Sequence, residues 1–335
     1  MNSTTILRVA VAGAGAISQY HFVGWLANPQ AKLVAVCDPD LMRAKEKASA
    51  FDVPAVYADF VEMLEREKPD AVDIITPVGT HAKLTRIAAD HGVHVCCQKP
   101  VTRTVAEAED LIRYVGDRVR FMVHENYRHR PHYVEIKRWL DAGRIGDPLH
   151  ARMTVRSQGM ISVNGEPPFL LHRQPYLRDF PRLLFFEVLI HHLDALRVLL
   201  GPLAVQHCTL SRVNPDLSGE DAGIAILEGK NGLTVSLDGN ISCPGYGPLP
   251  MDRLEIAGTR GTLLFERDRL SLVGSGEAPV VFDLVRNYQV CFSSAVRDFV
   301  EGILSGRPFQ TDRMDNLETL RLMEACYAAA GMPQA

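Results

Sequence analysis

The chain has 335 residues, of which 47% are hydrophobic and 23% are charged, and its formal net charge is −4. This composition is typical of globular proteins with one large or two medium domains. Because the charge is nearly balanced and the sequence contains no basic run, neither nucleic acid nor a membrane surface is an implied partner. The composition therefore favours a protein that binds a small molecule.

Two further features of the sequence concern the cellular compartment. The seven cysteines include no Cys-x-x-Cys pair, which favours buried free thiols in a reducing environment. The start MNSTTILRVAVAGAG lacks the basic residues, long apolar stretch and cleavage site of a signal peptide. No run reaches the ~18 apolar residues of a spanning helix. We therefore expect a cytoplasmic protein.

Short apolar runs alternate with helical patterns over residues 7–123. The strand-like runs are LRVAVAG, KLVAVCD, AVDIIT, VHVCCQ and VRFMVH. Such alternation predicts a parallel sheet that is buried on both faces and has right-handed crossovers. We expect residues 1–123 to form a doubly wound, Rossmann-type α/β domain.

The pattern changes after about residue 124. A helical pattern over 133–142 is followed by the strand-like PLHARMTVRSQ, a loop rich in Pro and Arg, and a helix that carries EVLIHHLD. The later segments LTVSLDGNIS, DRLEIAGTRG, TLLFERD and VVFDLV are separated by turn residues, and the chain ends in helical patterns. We expect residues 124–335 to form an α+β domain built on a mostly antiparallel open sheet.

The first strand runs into Gly13-Ala-Gly15-Ala-Ile-Ser18, which is close to the G-x-G-x-x-G/A fingerprint of dinucleotide-binding proteins. Gly13 permits a tight turn, Gly15 lets a pyrophosphate approach the backbone, and Ser18 allows close helix packing. The helix start at Ala16 and Ile17 offers free N–H groups and the positive end of the helix dipole to phosphates. This loop is a candidate cofactor site.

The second strand ends at Asp38, at the ~20-residue spacing that such motifs require. A carboxylate at this position accepts hydrogen bonds from the ribose hydroxyls of adenosine and repels a 2′-phosphate. The sequence therefore predicts NAD rather than NADP as the cofactor. The alternative is a glycine turn with a solvated aspartate at a strand end.

The segment EVLIHHLD places Glu187, His191 and Asp194 on one face of an α-helix, because they are spaced at i, i+4 and i+7. His192 points about 100° away and is expected to be structural. A face that packs on a core should be apolar. These ionisable groups either satisfy one another inside the fold or line a cleft where protons are transferred, and for Asp194 both interpretations stay open.

Together with THAKLTRIAADHGVHVCCQKPVTRTVAEAE and NYRHRP, these segments resemble the Gfo/Idh/MocA family, the group of glucose–fructose oxidoreductase and inositol dehydrogenase. The resemblance runs through nearly the whole chain and is strongest over 7–130 and 183–201. It implies NAD-dependent oxidation of a sugar or polyol hydroxyl to a lactone or keto product. It also implies that the second domain binds substrate and forms a homodimer or homotetramer through the exposed face of its sheet.

The resemblance also assigns catalytic roles. The family's Glu-Lys-Pro after the fifth strand is matched by residues 98–100, and its Asp-x-x-x-His-x-x-Asp helix by residues 187–194. It implies that Lys99 and His191 lie beside the nicotinamide and the substrate carbon. Imidazole titrates near neutrality, so His191 is the expected general base, while Lys99 stabilises negative charge on the reacting oxygen. Glu187 is expected to orient His191 or to bind a neighbouring hydroxyl.

The sequence departs from the family pattern at three places. Gln98 stands where the family has glutamate, which removes a charge beside the cofactor and Lys99. Glu187 stands where the family has aspartate, so its carboxylate lies one methylene further out. The glycine pair before that helix is replaced by residues 182–184, Arg-Leu-Leu, so the substrate loop is expected to have its own shape.

Further residues are expected near the cofactor. Thr76, Pro77 and His81 follow the fourth strand, at the carboxyl edge where doubly wound sheets bind ligands. The alternative for His81 is a helix-start residue without a contact. Asn126 follows the last parallel strand and is expected to hydrogen-bond the nicotinamide or the substrate. Gln98 and Lys99 complete this set.

Other residues are expected near the substrate. Tyr127 follows the last parallel strand and could also serve packing. In the loop 158–182, Asn164, Tyr176 and Arg178 are suited to holding several hydroxyl groups. Surface arginines are common, so the alternative for this loop is a solvated surface. Lys99, Glu187 and His191 are expected to contact the substrate as well.

No metal site is predicted. The histidines and the aspartate of EVLIHHLD cannot all converge on one ion from a single helix. His129 and His132 have no matching carboxylate or thiol pattern nearby.

Two other functions fit the same fold. One is an NAD-binding regulator without catalytic activity, against which the intact Lys99 and His191 argue, since a sensor needs no proton relay. The other is a glycosidase that uses NAD transiently. Relatives of that type are often exported, and the sequence shows no export signal. The catalytic roles of Lys99 and His191 also have purely structural alternatives. For Lys99 the alternative is a solvated lysine at a strand end, and for His191 it is a histidine packed in the core and paired with Glu187.

Overall fold

A computed structural model describes residues 6–332. The chain divides into two compact units, each with one β-sheet. The first unit extends to His129 and takes in Tyr288–Leu320, and the second consists of Arg130–Asn287 and residues 321–332. The first unit thus includes residues 288–320, which the sequence pattern assigns to the second domain, residues 124–335.

Six parallel strands form the sheet of the first unit. In chain order they are β1 (Leu7–Ala12), β2 (Ala31–Cys37), β3 (Ala55–Tyr57), β4 (Ala71–Ile74), β5 (His94–Gln98) and β6 (Phe121–His124). Their spatial order is β3-β2-β1-β4-β5-β6, so the sheet is wound in both directions from β1. The doubly wound Rossmann prediction is confirmed.

Five helices connect these strands. They are α1 (Ser18–Leu26), α2 (Leu41–Phe51), α3 (Phe60–Glu67), α4 (Val78–Asp90) and α5 (Val105–Val115). Side-chain oxygens of Asp40, Asp59 and Thr104 accept backbone N–H groups at the starts of α2, α3 and α5. These caps satisfy donors that a helix leaves unpaired in its first turn.

Eight strands form the sheet of the second unit. They are β7 (Pro148–Arg156), β8 (Ala204–Ser211), β9 (Ala222–Glu228), β10 (Thr234–Asn240), β11 (Met251–Gly258), β12 (Thr262–Glu266), β13 (Arg269–Leu272) and β14 (Val280–Val281). Their order is β14-β13-β12-β11-β7-β10-β9-β8, and only β7 and β10 pair in parallel. The prediction of a mostly antiparallel open sheet is confirmed.

The remaining helices follow α5 in the chain. They are α6 (Pro131–Asp141), α7 (Phe169–Arg173), α8 (Ile190–Leu200), α9 (Leu284–Ser305) and α10 (Arg313–Ala329). A π-helix, Leu184–Leu189, directly precedes α8, and short 3₁₀ turns occur at Tyr127–His129 and Pro175–Asp179. Within residues 6–332, no helix combines the length and the apolar character that crossing a membrane requires.

The core of the first unit joins residues that are distant in the chain. Phe22 and Trp25 of α1 pack against apolar residues of β1 and β2, and Phe299 and Val300 of α9 belong to the same cluster. The rings of Trp25 and Phe299 meet edge to face, with centroids 5.9 Å apart. Burying side chains of this size contributes about 1.5–3 kcal/mol each. This burial is why the later part of α9 groups with the first unit.

Two glycines let the π-helix pack closely on the sheet of the second unit. Gly223 of β9 and Gly239 of β10 lie opposite each other in the ladder. A Cβ atom on Gly239 would lie 2.7 Å from Leu189 Cδ1, and one on Gly223 would lie 3.1 Å from the ring of Phe185. Larger residues at these positions would push the helix off the sheet, so the two glycines set its height above the strands.

Candidate functional site

The glycine loop between β1 and α1 has the shape that a dinucleotide requires. Gly13 has φ of +108°, and a Cβ atom there would lie 2.5 Å from the carbonyl oxygen of Ile75. At Gly15, in contrast, a Cβ atom would meet nothing within 4 Å. The loop is therefore pressed against the end of β4 on one side and opens to free space at Gly15. The residues present fit a bound pyrophosphate.

Asp38 is half-buried at the end of β2 and is tied to this loop. Its Oδ2 accepts the N–H of Ala14 at 2.8 Å, and its Oδ1 accepts the N–H of Asp40 at 2.9 Å. Each carboxylate oxygen can accept a second hydrogen bond, so acceptors remain for ribose hydroxyls. The negative charge at this position disfavours a 2′-phosphate.

The other residues expected near the cofactor lie along the same edge, because parallel strands end on one side of a sheet. Thr76 follows β4, Gln98 and Lys99 lie at the end of β5, and Asn126 follows β6. Lys99 is half-buried. The Asn126 amide is buried and donates to Cys291 Sγ at 3.1 Å.

His81 is fully buried at the start of α4. Its Nε2 lies 2.7 Å from the carbonyl oxygen of Thr76, and its Nδ1 lies 2.9 Å from that of Pro100. Burial lowers the pKa of His81 and the charge of Lys99 lowers it further, whereas the two carbonyl contacts oppose this. His81 thus links the loop after β4 to the loop after β5, and its contact with the cofactor stays a prediction.

A buried carboxylate beneath this edge was missed in the sequence analysis. Asp73 of β4 accepts from His21 Nδ1 at 2.8 Å and from Trp25 Nε1 at 2.7 Å, all three side chains being buried. Nε2 of His21 lies 3.0 Å from Nε2 of Gln98, and Gln98 Oε1 accepts the backbone N–H of Lys99 at 2.7 Å. An aspartate inside the apolar run AVDIIT was the available signal, since an isolated carboxylate is costly to bury.

In the second unit, the predicted single α-helix over EVLIHHLD is wrong in its first part. Glu187 lies in the π-helix Leu184–Leu189, whereas His191 lies in α8. A π-helix is wider than an α-helix, so the i, i+4 relation of Glu187 and His191 is not that of one regular α-helical face. Both residues are half-buried, and Asp194 is buried with Arg197 at 3.9 Å.

The start of the π-helix is held by Glu220, another residue that the sequence analysis missed. Its carboxylate accepts the N–H groups of Leu183 at 3.1 Å and Phe185 at 3.2 Å, and its carbonyl accepts that of Leu184 at 3.0 Å. Tyr327 donates to the same carboxylate. Burial raises the pKa of Glu220, although these hydrogen bonds oppose the shift. Glu220 therefore caps the helix from a distant loop.

His192 anchors α8 to the rest of the second unit. Its Nε2 lies 2.8 Å from Asp252 Oδ1, and Tyr133 donates to Asp252 Oδ2 at 2.7 Å. Burial by itself would raise the pKa of Asp252, but His192 and Arg130 hold that pKa below its ordinary value. The charged carboxylate thus joins α6, α8 and β11, and it holds the helix that carries His191.

The predicted substrate residues take different positions. Asn164 lies at an exposed turn with φ of +53°, and Arg178 is also exposed. Tyr176 is 51% exposed, and the burial of the rest of its side chain raises its pKa, a shift to which the charge of Glu187 adds. Tyr127 is buried in the first unit, where its N–H donates to Glu125 Oε1 at 3.0 Å.

Acidic, thiol and imidazole groups are not clustered as in metal centres. In the part of the chain that the structure describes, no group of three or more His, Cys, Asp or Glu side chains has a metal-binding arrangement.

Two family models match the chain. Residues 7–125 match the Gfo/Idh/MocA model described as an oxidoreductase family with an NAD-binding Rossmann fold. Residues 133–264 match the model of the Gfo/Idh/MocA C-terminal domain. The first match identifies NAD as the cofactor of the fold that the glycine loop and Asp38 fit.

Individual proteins are similar over nearly the whole chain. A D-apiose dehydrogenase of Rhizobium rhizogenes is 32% identical over 98% of this chain and 96% of its own. A scyllo-inositol 2-dehydrogenase (NAD⁺) of Bacillus subtilis is 30% identical over 91% of this chain and 89% of its own. The crystal structure of an oxidoreductase from Agrobacterium radiobacter with NAD⁺, L-tartaric acid and magnesium has a TM-score of 0.89 and 30% identity, over 98% of this chain and 97% of that one. The protein is therefore a member of the Gfo/Idh/MocA family of oxidoreductases.

Proposed function

We propose that the protein oxidises a hydroxyl group of a sugar or polyol with NAD⁺ and yields a lactone or keto product. The observation that carries this proposal is the full-length similarity to enzymes named for D-apiose and scyllo-inositol, joined to an intact cofactor edge. When bound, the nicotinamide accepts the hydride. The glycine loop and the start of α1 hold the pyrophosphate, and Asp38 holds the adenosine ribose.

Side chains of the protein accept the proton of the substrate hydroxyl. An imidazole nitrogen of His191 takes this proton as general base. The ammonium group of Lys99 donates a hydrogen bond to the same oxygen and stabilises the charge that develops there. Glu187 and Tyr176 offer an acceptor and a donor to neighbouring hydroxyls.

Candidate substrates follow from the relatives' names. D-apiose is a branched aldose, whose oxidation at C1 yields a lactone, whereas an inositol ring carbon yields a ketone. Both compounds present several hydroxyl groups, which are distinguished by multidentate hydrogen bonding. D-apiose is the first candidate because its dehydrogenase is the more similar of the two enzymes compared.

Assembly and location belong to the same proposal. The solvent-facing side of the second sheet exposes apolar residues such as Ile224 (43% exposed) and Met251 (41% exposed). A second copy that covers this face would bury them, which favours a homodimer or homotetramer. All seven cysteines are free thiols, which favours the cytoplasm. Light scattering on the purified protein tests the assembly, and a monomer would refute it.

The decisive experiment incubates the purified protein with NAD⁺ and a panel of D-apiose, other aldoses and inositols, and follows nicotinamide reduction. We expect one group of compounds to be oxidised. On the best substrate, Lys99→Ala and His191→Ala should each lower kcat/KM by about 10²–10⁴-fold. The exposed Lys83 and His91 provide matched controls, and their alanine variants should keep full activity. Full turnover by either site variant would refute the assigned roles.

A further inference from the structure

A line of buried hydrogen bonds leads from the middle of the first sheet to the backbone of Lys99. Asp73 and His21 are completely buried and Gln98 is 9% exposed. Their contacts measure 2.8 Å from Asp73 to His21, 3.0 Å from His21 to Gln98, and 2.7 Å from Gln98 to the N–H of Lys99. The three side chains come from β4, α1 and β5, so they connect separate elements of the unit.

The direction of each hydrogen bond follows from which atoms can donate. The backbone N–H of Lys99 can only donate, so the Gln98 atom beside it is Oε1, and the Gln98 amide nitrogen faces His21. An amide NH₂ group only donates, so Nε2 of His21 accepts and carries no proton. The ring proton of His21 is then on Nδ1, where it is donated to Asp73.

We propose that Asp73, His21 and Gln98 are positioning residues that act in series on Lys99. Asp73 selects the Nδ1–H tautomer of His21, this tautomer leaves Nε2 as an acceptor, and the acceptor fixes the Gln98 amide. Gln98 in turn holds the N–H of Lys99 and so determines where the lysine leaves β5. The inference rests on the proposed function, in which the Lys99 ammonium group contacts the reacting oxygen.

The hydrogen bonds around position 98 require an amide rather than a carboxylate. A glutamate there would accept the Lys99 N–H equally well, but it would present a second acceptor to the unprotonated Nε2 of His21. Two acceptors at 3.0 Å repel each other unless His21 takes up a second proton. Gln98 therefore matches a neutral His21, and Gln98→Glu forces a change in the protonation of the ring.

Trp25 offers a matched control. Its Nε1 donates to the same Asp73 oxygen at 2.7 Å, but it has no part in the path to Gln98. Trp25→Phe and His21→Phe each remove one hydrogen bond from the buried carboxylate, so both should lower the melting temperature. Only His21→Phe breaks the link to Lys99.

The kinetic test compares kcat, KM and NAD⁺ affinity of these variants on the best substrate. A displacement of a reacting group by 1 Å costs about 10²-fold, so His21→Phe and Gln98→Met should lower kcat by about 10- to 100-fold. NAD⁺ affinity of His21→Phe, measured by fluorescence, should stay within about threefold of the wild type because Lys99 acts on the reacting oxygen. Trp25→Phe should keep kcat within about twofold.

The tautomer is tested without substrate. NMR of protein labelled with ¹⁵N in the imidazole rings should show one histidine, absent in His21→Phe, with Nδ1 protonated and Nε2 unprotonated. In Gln98→Glu the same ring should carry both protons at pH 7. A wild-type His21 protonated at Nε2, or a kcat as low in Trp25→Phe as in His21→Phe, would overturn the proposal. Failure of every sugar and polyol would refute the proposed function alone, since the NMR result does not depend on it.

Discussion

His132 provides a prediction whose size follows from the structure. It lies near the start of α6, is 1% exposed, and stacks on the ring of Phe265 at a centroid distance of 4.4 Å. Burial, followed by Arg130 and His192, lowers the pKa of His132 from 6.5 to about 3, while Asp252 opposes the shift. The fold therefore holds this ring in its neutral form.

The sign and the magnitude follow from proton linkage. Between pH 6.5 and 3 the unfolded chain binds a proton at His132 that the folded chain does not bind. The contribution of His132 to the free energy of unfolding is therefore fully present above pH 6.5 and is lost as the pH falls through this window. One pH unit in this window corresponds to about 1.4 kcal/mol, so the loss at pH 5 is about 2 kcal/mol. His132→Phe keeps the stacking and removes the titrating group. Between pH 7 and 5, the free energy of unfolding of His132→Phe should therefore fall by about 2 kcal/mol less than that of the wild type.

The assay uses the position of the two tryptophans. Trp139 lies in α6 of the second unit and Trp25 in the first, so urea unfolding followed by fluorescence in a Trp25→Phe background reports on the unit that contains His132. His172→Gln, which removes an exposed histidine of α7 in the same unit, is the control and should keep the wild-type loss. An equal loss in His132→Phe and wild type would refute the reasoning.

Three further predictions concern the cofactor loop and the capped helix. Gly13→Ala should lower the melting temperature because its Cβ would lie 2.5 Å from the Ile75 carbonyl oxygen. At Gly15 a Cβ would meet nothing within 4 Å, so Gly15→Ala should keep the melting temperature. It should nevertheless weaken NAD⁺ binding at least about tenfold, because the added methyl group occupies the space of the pyrophosphate. Unchanged NAD⁺ affinity in Gly15→Ala, measured by calorimetry, would argue against the assigned loop. Asp38→Asn should reduce the preference for NAD⁺ over NADP⁺ by about tenfold in kcat/KM, and an unaltered ratio would show that this carboxylate does not set it. Glu220→Gln should cost about 1–3 kcal/mol in urea unfolding because an amide cannot accept every donor around it, and wild-type stability would contradict its capping role.

The first unit shows how much of the cofactor site can be predicted from sequence. The apolar runs and intervening helical patterns are local, and a buried parallel sheet is the arrangement that satisfies them. Since parallel strands end on one edge, the order of motifs along the chain also predicts that Gly13, Asp38 and Lys99 share that edge. Family membership was predicted from the resemblance of several ordered segments along the chain and is confirmed.

The sequence by itself therefore determined the fold class and the cofactor loop, because both depend on patterns within short segments, and the resemblance of several ordered segments along the chain indicated the family. Only the tertiary structure decided that His21, Asp73 and Gln98 form one line of hydrogen bonds, that Glu220 caps the π-helix, and that residues 288–320 complete the first core. Partners such as Asp73 and His21 are 52 residues apart and meet only when their elements pack. No local periodicity encodes such pairs, since the need to satisfy a buried polar group arises only when the surrounding core has closed.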